Sequence, residues 1–209
     1  NEFMIRVGMM NPMYMPRIKE KLIESFDNDK VFKFLHIPVQ SGSDKVLHDM
    51  KRGHTAGTYR EIVNKVKQRF SEFTISTDII VGFPSETEED FQKTVALLDE
   101  TKPDVVNLSK YSARPGTDAA ELKQIDAAEV KRRSKIIFEQ ISKLSMESNR
   151  KWIGWKGKVL FDETTEEGIK GRNFAYKPVF VDGDIKIGQS YTVEIIDATV
   201  KRLVGKIAS

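Results

Sequence analysis

Cysteine is absent from this chain, and histidine occurs only three times in 209 residues. The first absence excludes disulfides, thiolate metal sites and a cysteine nucleophile from the chain itself, so any such chemistry has to come from elsewhere. The sequence also lacks an apolar run of the roughly 18 residues that would span a bilayer. Its opening, NEFMIRVGMMNP, lacks the basic region and apolar stretch of a secretory leader. A large excess of either charge is missing too: 34 basic against 31 acidic residues leave a net charge of +3. So small a balance does not by itself indicate nucleic acid, although a pI near 8.9 admits it where basic residues cluster. The remainder, 39% hydrophobic and 31% charged with a mean hydropathy of −0.42, describes a soluble globular protein with no membrane role. The chain does not begin with Met and opens directly into a strand-like run, which points to a piece of a longer protein.

Two textures follow one another. Over the first 125 residues, strand-like runs at 3–9, 32–39, 74–82 and 104–111 alternate with helical patterns at 16–26, at DKVLHDMKR and TYREIVNKVKQRF, and from 87. Pro16 suits a first helical turn, and Thr87 followed by Glu88, Glu89 and Asp90 reads as an N-cap with acidic residues favoured by the helix dipole. This alternation predicts βαβ units around a parallel sheet, hence an α/β fold. Residues 126–150 form a long bridging helix, with Val130, Ile137, Ile141 and Leu144 at helical spacing. From about 151, short strands joined by Gly and Asp turns predict a small all-β barrel of the OB-like kind. The division is therefore placed between residues 1–149 and 150–209.

Period-2 reading of the early strands separates two faces. Leu35, Ile37 and Val39 oppose His36, Pro38 and Gln40; Ile75, Ile79 and Val81 oppose Thr74, Ser76, Asp78 and Gly82; Val106 and Leu108 oppose Asn107, Ser109 and Tyr111. In the first run, Ile5, Val7 and Met9 oppose Met4, Arg6 and Gly8. A sheet covered by helices on both sides would be apolar on both faces. Here Arg6, His36, Gln40, Ser76, Asp78, Asn107 and Ser109 converge on one side, which predicts a barrel or partial barrel with a polar lumen. Its mouth would be ringed by the loops QSGS (40–43) and GFPSET (82–87). In QSGSDKVL a helix N-terminus could take an anion, or Ser43 or Asp44 could simply be the N-cap. In IIVGFPSETEEDF, Gly82 permits close approach to the backbone and Pro84 stiffens the turn.

Together, RVGMMNP, FLHIPVQSGSDKVLHDMKRGHT, STDIIVGFPSETEEDF and YSARPGT closely resemble the corresponding stretches of radical S-adenosylmethionine methylthiotransferases, in family order. The small C-terminal unit resembles a TRAM domain, so the resemblance covers essentially the whole chain. It implies the later part of a TIM-type radical barrel followed by an RNA-binding TRAM domain. It also implies S-adenosylmethionine as cofactor and two 4Fe-4S clusters in the full-length enzyme, neither ligated by this cysteine-free piece, which alone would be inactive. The family's reaction attacks an unactivated C–H bond with a 5′-deoxyadenosyl radical and inserts a methylthio group. The barrel positions cofactor and target carbon. By motif, Gln40 and Ser41 fall where the barrel wall approaches the cofactor, and Asp78, Gly82 and Phe83 near its ribose and adenine. Arg114 would meet substrate or the sulfur-bearing cluster, or be a solvated loop arginine. The five methionines within residues 4–15 are read as packing.

Residues 150–209 carry 11 basic and 8 acidic residues, a net +3. The preceding helix adds Lys131, Arg132, Arg133, Lys135 and Lys143. With Trp152, Trp155, Phe174 and Tyr176 interleaved, backbone contacts and base stacking on RNA are expected, Trp155, Lys158 and Arg172 being the candidates. Alternatively the tryptophans seal the interdomain joint, the preferred reading for Trp152. RVGMMNP and FLHIPVQS look most like the archaeal and eukaryotic branch acting at C2 of N6-threonylcarbamoyladenosine 37, so the expected partners are a tRNA anticodon stem-loop and an electron donor for the clusters, in the cytoplasm. An isopentenyladenosine tRNA enzyme, a ribosomal-protein methylthiotransferase and a non-catalytic RNA-binding relative are the alternatives.

Overall fold

The computed structural model of the protein describes residues 3–166 and 168–208; Glu167, one of the eight acidic residues above, lies outside them. A 3-10 turn at Pro12–Tyr14 runs into α1 (Met15–Ser25), and β1 (Phe34–His36) follows. Then come α2 (Asp44–Asp49), α3 (Ala56–Arg69), β2 (Thr74–Val81), α4 (Glu88–Thr101), β3 (Val105–Lys110), α5 (Asp118–Glu121) and α6 (Ala127–Arg150). The three strands pair in parallel in the order β1-β2-β3, with Phe34 opposite Thr74 and Ser76 opposite Val105.

The sheet buries the face that period-2 reading assigned to it. Leu35, Ile37, Val39, Ile75, Ile79 and Val81 are buried and pack with Tyr59, Ile62, Phe91 and Leu98 from α3 and α4. Thr77 shares this face, yet its hydroxyl has two partners: it donates to the Ile37 carbonyl at 2.9 Å and accepts from the Val39 amide at 3.1 Å. A buried polar group is thereby satisfied while the chain beyond β1 is held against β2.

The first strand-like run does not become a strand. Among the described residues, 3–9 form no ladder, only isolated bridges at Ile5–Val31 and Met9–His36; Ile5 and Met9 are 50% and 63% exposed, while Val7 packs against the core and the Arg6 guanidinium lies over Phe34. Alternation in sequence needs a continuous ladder to fix which side faces inward, and two bridges do not supply one. Met15, by contrast, is buried in the core, in keeping with packing.

Beyond α6, β4 (Lys156–Thr165), β5 (Gly168–Arg172), β6 (Pro178–Val181), β7 (Ser190–Ala198) and β8 (Leu203–Ile207) close a five-stranded barrel in the order β4-β5-β6-β8-β7. The β6–β8 pairing is parallel and the others are antiparallel. Val159, Phe161, Val179, Val193, Ile195 and Leu203 fill it.

Barrel and sheet meet at one buried charge. Lys177, 2% exposed, donates to Ser148 Oγ at 2.9 Å and Asn149 Oδ1 at 3.0 Å on α6, and its ammonium lies 3.4 Å from Asp104 Oδ1. Asp104 also accepts from the Ile75 amide at 2.8 Å and from the Ser148 hydroxyl. Burial lowers the Lys177 pKa from its ordinary value, with Asp104 opposing that shift.

Lys177→Ala should lower the unfolding free energy by about 3 kcal/mol, because Asn149 and Asp104 lose a buried donor, while Lys177→Met, which keeps the packed stem, should lose less than half of that. Urea unfolding measures both. Between the depressed folded pKa and the ordinary 10.5, the native chain binds fewer protons than the unfolded one, so this site adds stability as pH rises towards 10.5; Lys177→Met should lack that contribution.

Candidate functional site

The polar face of the sheet carries a three-residue cluster. Asp78 Oδ1 accepts from Asn107 Nδ2 at 2.8 Å and lies 2.8 Å from His36 Nε2, tying β1, β2 and β3 together side by side. Among the described residues its other oxygen has no hydrogen-bond donor, and the side chain is 26% exposed, so an acceptor faces the lumen. Ser76 is buried on the same side, whereas Ser109 is exposed at the mouth.

Gln40 extends this face. It bridges Ile79 as the chain leaves β1, and its φ of 75° places a non-glycine residue in the left-handed region. Such strain costs on the order of 1–3 kcal/mol and persists where surrounding structure enforces it. Here the Gln40 amide donates to the Asp78 carbonyl and the Gln40 carbonyl accepts from the Ile80 amide, at 2.8 and 2.9 Å.

The turn QSGS is built against α4. Ser41 is fully buried with its hydroxyl 3.3 Å from that of Thr94, which also accepts from the Gly42 amide. A Cβ on Gly42 would lie 2.3 Å from the Lys93 carbonyl oxygen. Ser43 caps α2 and donates to Asp90 at 2.6 Å, and Asp90 closes the capping box of α4 with Thr87. The Ser41 hydroxyl also accepts from the Ser43 amide, so this buried side chain supports the turn from the helix layer.

The second loop is clamped from α6. Gly82 has φ +82°, and a Cβ there would meet Val130 at 2.7 Å. The Gly82 amide donates to Glu86 Oε2 at 2.9 Å, and Arg133 Nη1 donates to the same carboxylate at 2.7 Å and to the Glu86 carbonyl at 2.9 Å. Burial pushes the Glu86 carboxyl upward, against the Gly82 amide and Arg133. Hydrogen bonds from Arg132 and Arg133 hold Glu129, on the exposed side of this network, at about 2. The basic run 131–133, read from sequence as an RNA-facing patch, is therefore partly consumed: Arg133 is 5% exposed and both arginines hydrogen-bond Glu129. Residue type marks Arg133 as cationic, but only the fold places Glu86 opposite it.

Phe83 meets Tyr111 edge-on, and both line a cavity of about 730 Å³ at the strand C-terminal ends, which Arg114 also lines. The structure thus gathers Gln40 and Asp78 along one face, and Phe83 and Arg114 at its mouth. Trp155, Lys158 and Arg172 lie far along the chain, in the small barrel. Lys158 and Arg172 share a cavity of about 450 Å³ with Lys30 and Phe174. Trp155 is half-buried against Trp152 and Phe174. Tyr176 is covered by Arg172 at 4.5 Å and packs on Phe32 and Phe34. Trp152, 6% exposed, belongs to the small barrel's own core.

A metal cluster finds no ligands here: there is no cysteine, and among the described residues no group of three or more His, Asp or Glu could hold a metal ion. For a nucleoside-like cofactor the chemistry of the donor set is suitable: Asp78 keeps one carboxylate oxygen without a donor among the described residues, and Phe83, itself buried, stands on the wall of the cavity at the strand ends. Among the described residues no helix is long and apolar enough to cross a membrane.

Residues 2–98 match the family model described as the Radical SAM superfamily. The fold is also like that of coproporphyrinogen III oxidase from Escherichia coli, a radical SAM enzyme: TM-score 0.53 over 92% of this chain and 44% of that one, at 20% identity. The family match thus lies on the sheet and its helices, just under half of the chain, while the likeness of fold runs over most of it. More particularly, the chain is 44% identical, over 100% of itself and 49% of the relative, to a probable threonylcarbamoyladenosine tRNA methylthiotransferase of Archaeoglobus fulgidus. It is 37% identical, over 93% of itself and 35% of the relative, to the threonylcarbamoyladenosine tRNA methylthiotransferase of Xenopus laevis. The chain spans about half the length of the archaeal relative.

Arg133→Ala should destabilise the protein by about 3 kcal/mol in urea, because a fully buried carboxylate loses its counter-charge. With its partner gone Glu86 takes up a proton more readily, so the deficit should shrink as pH falls towards 4.5 and grow as pH rises above it. Arg133→Lys should recover little, since a lysine cannot reproduce the forked contact to Glu86 and Glu129.

Proposed function

We propose that this chain is the later part of the radical barrel, joined to a TRAM domain, of a tRNA methylthiotransferase that modifies C2 of N6-threonylcarbamoyladenosine 37. The observation that carries the reading is that similarity to the archaeal relative runs through the sheet and the small barrel alike. A shared radical SAM core alone would not require that. The rest of the longer protein would supply both 4Fe-4S clusters, and an electron donor would reduce them. The enzyme would work in the cytoplasm, on the anticodon stem-loop.

When bound, S-adenosylmethionine supplies the radical that opens the target C–H bond. This chain's residues would bind and orient: the free oxygen of Asp78 takes a ribose hydroxyl, Gln40 lines the wall beside it, and the adenine lies against Phe83, on a loop that Gly82 packs closely onto Val130. Glu86 and Arg133 hold that loop in place without touching the ligand. Lys158 and Arg172, on one cavity at the edge of the small barrel, would meet RNA phosphates, and Trp155 would contribute its half-exposed ring.

Bulk tRNA from cells with and without the complete gene, digested and measured by mass spectrometry, tests the assignment. The expected outcome is loss of 2-methylthio-N6-threonylcarbamoyladenosine with accumulation of the unthiolated nucleoside. Unchanged tRNA nucleosides would overturn it, and ribosomal proteins would be measured next.

A further inference from the structure

The lumen has a lower end, and the small barrel supplies it. At the N-terminal ends of the strands a cavity of about 560 Å³ is lined by Thr74, Ser76 and Asn107 from the sheet and by Arg172, Tyr176 and Lys177 from the end of β5 and the turn that follows it. Ser76 stands two residues before Asp78 on β2, about 7 Å along the strand. Asn107 is the residue that donates to Asp78. This cavity is therefore the bottom of the same lumen.

The turn beneath it is built with some strain. Tyr176 has a φ of 60°, a left-handed conformation that a residue with a side chain keeps only where its surroundings enforce it. Asn173, fully buried, does the enforcing: its Oδ1 accepts from the amides of Ala175 at 3.1 Å and Lys177 at 3.0 Å, and its carbonyl accepts from the Tyr176 amide at 2.9 Å. The ring is thereby laid on Phe32 and Phe34, with centroids 4.9 and 5.0 Å away, and the guanidiniums of Arg172 and Arg6 stand over it at 4.5 and 5.3 Å. Beside it the Lys33 amide donates to the Phe174 carbonyl at 2.8 Å, a backbone seam between sheet and barrel. A ring that stacks on RNA bases has to present a bare face. This one is engaged within the protein, which withdraws Tyr176 from the base-stacking aromatics expected from sequence.

Resting on the radical methylthiotransferase reading above, we propose that the 172–177 segment is the closed floor of the radical chamber, with Tyr176 as the positioning residue that keeps it shut. The chemistry gives such a floor a purpose. The 5′-deoxyadenosyl radical does not take a hydrogen atom from water, whose O–H bond is too strong, but it takes one readily from a thiol. A C–H bond then forms, the S–H bond breaks and the unpaired electron passes to sulfur, leaving 5′-deoxyadenosine and a thiyl radical in place of an activated RNA carbon. Enclosure of a reactive site prevents side reactions of this kind. RNA enters at the mouth, and the small barrel stands at the opposite end.

The test uses the reconstituted full-length enzyme and an anticodon hairpin carrying N6-threonylcarbamoyladenosine, in D2O with dithiothreitol, whose thiol hydrogens are then deuterium. Mass spectrometry of the 5′-deoxyadenosine reads where its new hydrogen came from: protium from the RNA carbon, deuterium from the thiol. The wild type should give mainly unlabelled 5′-deoxyadenosine at every thiol concentration. Tyr176→Gly removes the ring at a φ that glycine adopts freely, and should raise the deuterated fraction several-fold and in step with the thiol. Tyr176→Asn, smaller and tolerant of the same backbone, should do likewise, while Tyr176→Phe should match the wild type. A residue that merely stabilises the fold would lower turnover without moving this fraction. In the resting enzyme, amide hydrogen exchange over residues 74–76 should quicken in Tyr176→Gly. A deuterated fraction unmoved in both Tyr176→Gly and Tyr176→Asn, or unchanged exchange at 74–76, would overturn the proposal and leave the methylthiotransferase reading standing. If the wild type methylthiolates no hairpin, that reading falls and the proposal with it.

Discussion

Everything in this molecule that lies between sheet and small barrel is arranged around the buried ammonium of Lys177. A cation so enclosed persists only if its hydrogen-bonding capacity is met, and the chain meets it from two elements: Ser148 and Asn149 on α6, and Asp104 at the entry to β3. Asp104 in turn takes the Ile75 amide, so a single carboxylate belongs both to the sheet and to the joint. The Asn149 amide reaches the other way, donating to the carbonyls of Thr199 and Val200. Next along the chain, Tyr176 adds apolar contacts to the joint, packing on Phe32 and Phe34. Polar specificity inside an apolar seal fixes one relative placement, where an apolar seal alone would allow sliding.

The same logic holds at the lumen. Helices cover only the aliphatic side of the sheet, which frees the other side to carry His36, Asp78 and Asn107 across three adjacent strands. Parallel pairing in register makes that alignment possible, since Asp78 lies opposite Asn107. Loops at the strand ends are then held from behind: QSGS by Thr94 and Asp90, GFPSE by Val130 and Arg133.

Much of this could be read before the structure was known, and what failed did so for definite reasons. Period-2 alternation is a local property enforced by a continuous ladder, so the faces of β1, β2 and β3 were legible from Leu35, Ile79 and Leu108 onward. The run at 3–9 has the same alternation but only two bridges, so it forms no strand, although Val7 packs against the core and Arg6 lies over Phe34. The long helix was visible in its spacing and runs from Ala127 to Arg150. What sequence could not show were the pairings made across 40 or more residues: Ser41 with Thr94, Arg133 with Glu86, Lys177 with Asp104. Each converts a residue that looks like surface or site chemistry into internal support, and each depends on topology. Signals were present, in the Glu of GFPSE and the lone Lys between Tyr176 and Pro178, but they named no partner.

Helix α6 touches both ends of this design, Val130 and Arg133 against the Gly82 loop, and Ser148 and Asn149 against the small barrel. At 1.5 Å per residue, Val130 and Asn149 are separated by roughly 28 Å along a rigid rod. The rod also sets angle: one residue more or fewer between them would turn one end by about 100° relative to the other and break whichever contact was not followed. Its length is therefore quantised. Divergence in this protein can alter the outward-facing residues of α6 freely, but it can lengthen the helix only in steps that restore the same phase, so the span from the Gly82 loop to the small barrel behaves as a fixed gauge.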